Sequence, residues 1–167
     1  ITMGASRNSN ISGNLRSGGG AIQISANNTI ALASTGSIDT QSSNAAVTLT
    51  ADADSFAGGG VAMTDGSVVD ATGGWIFISA TNDVIVSRLV TTSGVSVTSS
   101  QGAILDTADG LGKEIEAASA ILRAQTGIGT QANPLETSVS QLEADAGAGG
   151  LWLDNVGDMQ IGGISGL

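Results

Sequence analysis

Apolar and polar residues alternate along the chain in short bursts, and the bursts recur. Ile22-Gln23-Ile24, Val47-Thr48-Leu49, Ile76-Phe77-Ile78 and Val95-Ser96-Val97 each place aliphatic residues at i and i+2. Successive strand side chains point to opposite sides, so each burst predicts a strand that buries its aliphatic pair and turns the middle residue to solvent. Residues 19–32 align without a gap on residues 73–86, with seven of fourteen positions identical at an offset of 54. Ala46 to Asp52, between them, repeats the alternation and its small-then-polar ending, so the period is about half that offset.

Taking the first apolar residue of each burst as an anchor gives Ile22, Val47, Ile76, Val95, Ile121 and Trp152, a mean spacing of 26 residues. A second short strand follows seven to nine residues on, at Thr29 to Leu32, Asp83 to Val86, Gly102 to Leu105 and Gly127 to Thr130. A third follows at Ser37 to Asp39, Val68 to Thr72 and Leu89 to Thr92. Only Asp65-Gly66 and Asp109-Gly110 have the dipeptide chemistry of tight hairpins, so hairpins do not organise the chain. The pattern predicts an all-β fold, a parallel β-helix (β-solenoid) of about six coils of roughly 20–31 residues with three short strands per coil. Each coil adds about 4.8 Å, giving a rod segment roughly 30 Å tall. Residues 1–167 form a single segment, expected to be a piece of a much longer repetitive protein.

Corners of such a coil need residues that accept positive φ or a close backbone approach, and Asn28 and Asn82 fall at equivalent corners. Lys113 to Ala124 has helix-forming composition, with Ile115, Ala118 and Leu122 at helical spacing. The period asks for a strand there, and a strand is the expectation. Thr130 to Gly147, containing the only proline, Pro134, reads as a longer unit with a loop or protrusion.

Composition narrows the function. Glycine contributes 25 residues, and Trp75, Trp152, Phe56 and Phe77 are all the aromatics. The formal charge of -10 would repel nucleic acid. Without cysteine or histidine there is no disulfide, thiol nucleophile, imidazole base or usual zinc ligand set. No apolar run approaches the roughly 18 residues of a membrane span, so a soluble segment is expected.

From Gly102 the text becomes distinctive: Gly102-Ala103-Ile104-Leu105-Asp106, Gly127-Ile128-Gly129-Thr130, Asn133-Pro134-Leu135, Leu142-Glu143-Ala144, Gly149-Gly150-Leu151-Trp152-Leu153-Asp154-Asn155 and Gly157-Asp158-Met159-Gln160-Ile161-Gly162-Gly163. It resembles the repeat regions of giant filamentous haemagglutinin-like bacterial surface proteins, including two-partner-secretion exoproteins. The resemblance covers about the last 65 residues well and the remainder by texture. It implies a right-handed parallel β-helix shaft in a long adhesin or matrix protein, at the bacterial cell surface or outside the cell. These shafts have no shared active-site motif to map onto this chain.

The candidate chemistry is sparse. Asp52 and Asp54 share a face if extended, and Asp65 with Asp70 or Asp106 with Asp109 offer further oxygens for Ca²⁺. A solvated acidic edge is the ordinary account of such residues, and no calcium-binding nonapeptide or Asp-rich loop motif accompanies them. An enzyme is not expected, because the chain has no histidine, no tyrosine and only scattered basic residues. Thr48 and Thr50 face outward, but Gln23 on the equivalent strand breaks any regular hydroxyl ladder. Trp75 and Phe77 alternate with inward Ile76 and Ile78 and form an outward patch that marks a contact site. Trp152 is ambiguous between the two faces. The expected function is a non-catalytic shaft segment serving surface attachment or assembly. Its expected partners are neighbouring β-helix segments, a second copy end to end, or a host or cell-surface glycan or protein. The alternatives are a carbohydrate-active or glycan-binding β-helix and a calcium-stiffened extender.

Overall fold

The computed structural model describes residues 1–41, 44–56, 58–107 and 112–165. Asp109 and the Asp109-Gly110 pair lie outside the described residues. The chain winds through about seven turns, each laying short strands on three faces. The first turn contributes β1 (Thr2–Ala5), β2 (Ser9–Ile11) and β3 (Asn14–Arg16), and the second β4 (Ile22–Ala26), β5 (Ile30–Leu32) and β6 (Ser37–Asp39). The third supplies β7 (Val47–Ala51), β8 (Val61–Met63) and β9 (Val68–Thr72), and the fourth β10 (Ile76–Ala80), β11 (Val84–Val86) and β12 (Arg88–Thr91). The fifth supplies β13 (Gly94–Ser99), β14 (Ala103–Asp106) and β15 (Ile115–Glu116), and the sixth β16 (Ser119–Ala124), β17 (Gly127–Ile128) and β18 (Leu135–Ser138). β19 (Gln141–Asp145) and β20 (Leu153–Asn155) make the seventh, with Leu151 bridging Ile128 between them, and β21 (Gln160–Ile161) follows.

Every strand pairs in parallel with its equivalent in the next turn, giving sheets of eight, six and seven strands. The parallel β-solenoid expected from the alternation is therefore the fold. The anchors undercounted the turns because residues 2–5, Thr-Met-Gly-Ala, pair as β1 without carrying the aliphatic alternation.

Register stacks like on like. Ile22, Val47, Ile76, Val95, Ala120 and Leu142 form one interior column, and Ile24, Leu49, Ile78, Val97 and Leu122 a second. All are buried. Each aliphatic side chain removed from water contributes about 1.5–3 kcal/mol, so the columns supply the main driving force.

Three expectations need correction. In β16 the inward residues are Ala120 and Leu122, so Ile121 faces outward; alanine is small enough to fill the inward site, and two adjacent apolar residues hid the register. Trp152 is not an anchor of the first sheet: Leu142 holds that place, and Trp152 is 41% exposed between Leu151 and β20. The longest turn is not the one containing Pro134. Leu142 follows Ala120 by 22 residues, whereas 29 residues separate Thr48 from Phe77, and the extra length forms the loop after β7. The 113–124 segment is strand, as expected, in β15 and β16. Asn28 and Asn82 do occupy equivalent corners after β4 and β10, but their backbones are not left-handed; among the described residues, Gln41, Asn44, Asp52, Ser55 and Thr72 are the non-glycine residues with positive φ.

Candidate functional site

The second interior column of the corner between sheets two and three runs Ile11, Leu32, Met63, Val86, and then meets Asp106. Asp106 therefore occupies an inward position that four preceding turns fill with aliphatic side chains, and it is 9% exposed. Glu114 follows Asp106 by eight residues and immediately precedes the inward Ile115 of β15. Pairing of Ile115 with Thr137 sets Glu114 beside Glu136 on β18. One carboxylate oxygen from each of Asp106, Glu114 and Glu136 lies within 4.8 Å of the others. Among the described residues this is the only such group of three.

Hydrogen bonds partly compensate the burial. Glu114 Oε2 accepts the Glu136 backbone N–H at 2.8 Å, and Asp106 Oδ2 accepts the Asn133 side-chain amide at 2.7 Å. No lysine or arginine pairs with the cluster among the described residues; the two ion pairs found there are Arg16–Asp39 and Arg88–Glu116. Glu114 is 1% exposed. Burial, its side-chain hydrogen bond with Glu136 and repulsion from Asp106 and Glu136 push its carboxyl up to about 8, against the lowering effect of the Glu136 amide. Glu114 is thus protonated at neutral pH and can donate to Glu136, the arrangement by which close carboxyls avoid carrying two charges. As oxygen donors the three also suit a hard cation in type, though the shared proton already relieves their repulsion.

A second carboxylate behaves oppositely. Glu143 on β19 accepts the backbone N–H groups of Ile164 and Ser165 at 2.6 and 3.0 Å, and the Ser165 hydroxyl. Those bonds hold it below the ordinary carboxylate range and tie the chain after β21 back onto the first sheet.

The residues singled out from sequence are placed differently. β7 ends at Ala51, so the extended geometry that would align Asp52 with Asp54 stops there. Asp52 is buried and accepts the Thr81 hydroxyl, while Asp54 is exposed and accepts the Phe56 N–H at 3.3 Å. Trp75 and Phe77 come together: their rings are 5.7 Å apart and 12° from parallel. The indole lies across Gly94, where a Cβ would stand 2.4–2.6 Å from three of its ring atoms. Glu114, Glu136 and Phe56 were not marked as site residues by sequence. The available signal was Asp106 itself, at i+2 from Ile104 where the alternation calls for an aliphatic.

Compared with known proteins, the chain matches no protein-family model, no curated protein and no solved structure.

Proposed function

We propose that the chain is a non-catalytic shaft segment of an exported bacterial filamentous adhesin or extracellular matrix protein, holding binding regions away from the cell surface or mediating assembly. The observation that carries this reading is the unbroken first sheet. Eight strands from β1 to β21 pair in parallel, and one interior column runs from Ile22 through Val47, Ile76, Val95 and Ala120 to Leu142 without a change of register. A stack in which each turn couples only to its neighbours extends by repetition, which suits a spacer. The resemblance of residues 102–163 to filamentous haemagglutinin-like repeats supports the same assignment. The burial of Glu114 among neighbouring carboxyls, where it keeps a proton, is in keeping with a structural role. In this reading no resident cofactor is required, and neighbouring β-helix segments or a second copy meet the end strands.

Immunogold labelling of intact source cells with an antibody raised against this chain tests the reading. Labelled surface filaments are expected without permeabilisation. Labelling that appears only after lysis would contradict it.

A further inference from the structure

Three of the four aromatic side chains share one strip of surface on the third and fourth turns. Trp75 and Phe77 stand at the start of β10, stacked on each other, with Phe77 42% exposed. The outward side of the strand continues through Ser79, whose hydroxyl meets that of Thr50 at 3.5 Å, to Thr81 and Asn82 at the corner. There a cleft of about 580 Å³ opens, lined by Asp52, Thr81, Asn82, Ser100 and Gln101, and walled by Phe56. From Trp75 to Asn82 the strip is about 23 Å long at the rise of a strand.

Two features distinguish this strip from ordinary strand surface. Phe56 is 93% exposed, and the loop presenting it turns through left-handed backbone at two non-glycine residues, Asp52 and Ser55, each at φ 57. A ring left in water adds nothing to the core, and an exposed aromatic beside a polar cleft marks a contact surface. At the other end, Gly94 opens β13 without positive φ, and the space it leaves is filled by the Trp75 ring. Aromatic faces at both ends, with hydroxyl and amide groups between, match the alternating C–H faces and hydroxyls of a sugar chain. No lysine or arginine lines the cleft, and the chain carries a formal charge of -10, so an anionic polymer is disfavoured.

We infer that this strip binds an extended strand of an uncharged polysaccharide, with Phe56 and the Trp75–Phe77 pair stacking on sugar rings and Asn82, Ser100 and Gln101 bonding hydroxyls. This activity is independent of the shaft assignment, since a spacer with or without it has the same fold.

Affinity electrophoresis through native gels containing hydroxyethyl cellulose, dextran, galactomannan or alginate tests the inference. The chain should be slowed by at least one of the three neutral polymers. Phe56→Ala and Phe77→Ala should each weaken that retardation at least tenfold while leaving the melting temperature unchanged. If Phe77→Ala lowers the melting temperature, Phe77→Leu, which keeps apolar bulk without a ring, takes its place. No retardation in any neutral gel, retardation by alginate alone, or binding that survives either substitution would overturn the inference.

Discussion

In the first four turns the corner column of sheets two and three is Ile11, Leu32, Met63 and Val86, and the third-sheet column is Leu15, Ile38, Val69 and Leu89. The same columns continue into the later turns as Asp106, and as Ile115, Thr137 and Asn155. Parallel pairing continues through the change, though β15 and β17 shorten to two residues each. Along these two columns what differs is how the interior is satisfied: the early positions rest on dispersion and exclusion of water, while Asp106, Thr137 and Asn155 rest on specific partners. Asn155 accepts the Thr137 hydroxyl and the Val139 N–H, both at 2.9 Å, and donates to the Val139 carbonyl at 3.2 Å. Asp106 has the Asn133 amide, and Glu114 keeps a proton. A solenoid thus tolerates polar groups in its interior where local side chains close the hydrogen-bond requirements, at the price of sensitivity to pH.

The largest effect is expected from the aliphatic region. Leu89→Ala removes a fully buried side chain from the middle of its column and should cost about 2–5 kcal/mol in chemical denaturation. A loss below 1 kcal/mol would mean that the early columns are not what holds the stack together. Next comes Asn155→Ala, which leaves the Thr137 hydroxyl and the Val139 backbone without their partners. Its expected cost is about 1–3 kcal/mol, with little dependence on pH.

The acidic corner should show itself by pH. Glu114 keeps its proton in the folded state up to about 8, whereas the unfolded chain releases it near the ordinary glutamate value of 4.5. Unfolding in that window therefore releases a proton, so stability is greatest at the acid end and falls as pH rises toward about 8. Glu114→Gln, which mimics the protonated form, should flatten the decline and raise the melting temperature at pH 8 by about 2–4 °C. Calcium sharpens the point: if millimolar CaCl2 at pH 8 raises the wild-type melting temperature and not that of Glu114→Gln, a cation rather than a proton occupies the corner. The smallest effect is expected at the exposed Arg88–Glu116 pair, where Arg88→Ala should cost about 0–1 kcal/mol.

Much of the fold was legible because period-two alternation is local: Ile22 with Ile24, and Ile76 with Ile78, reveal their inward faces within three residues. Legibility failed where the local signal was degenerate. Ala120-Ile121-Leu122 offers two readings of the inward face, and only pairing with Val95 and Val97 decides between them. The acidic corner was hidden for a different reason. Asp106, Glu114 and Glu136 are spread over 31 positions, and their meeting depends on the number of residues between β14 and β15 and on the register of β18. Phe56 was legible as a residue but not as an exposed one, because its projection follows from left-handed backbone at Asp52 and Ser55.

Hydrogen exchange resolved strand by strand, at pH 6 and at pH 8.5 and corrected for intrinsic rates, tests most directly whether a single parallel ladder holds two differently satisfied interiors. Protection of β4, β7 and β10 is expected to be unchanged between the two conditions, while protection of β14, β15 and β18 falls at the higher pH. Equal protection of both groups at both pH values would contradict it.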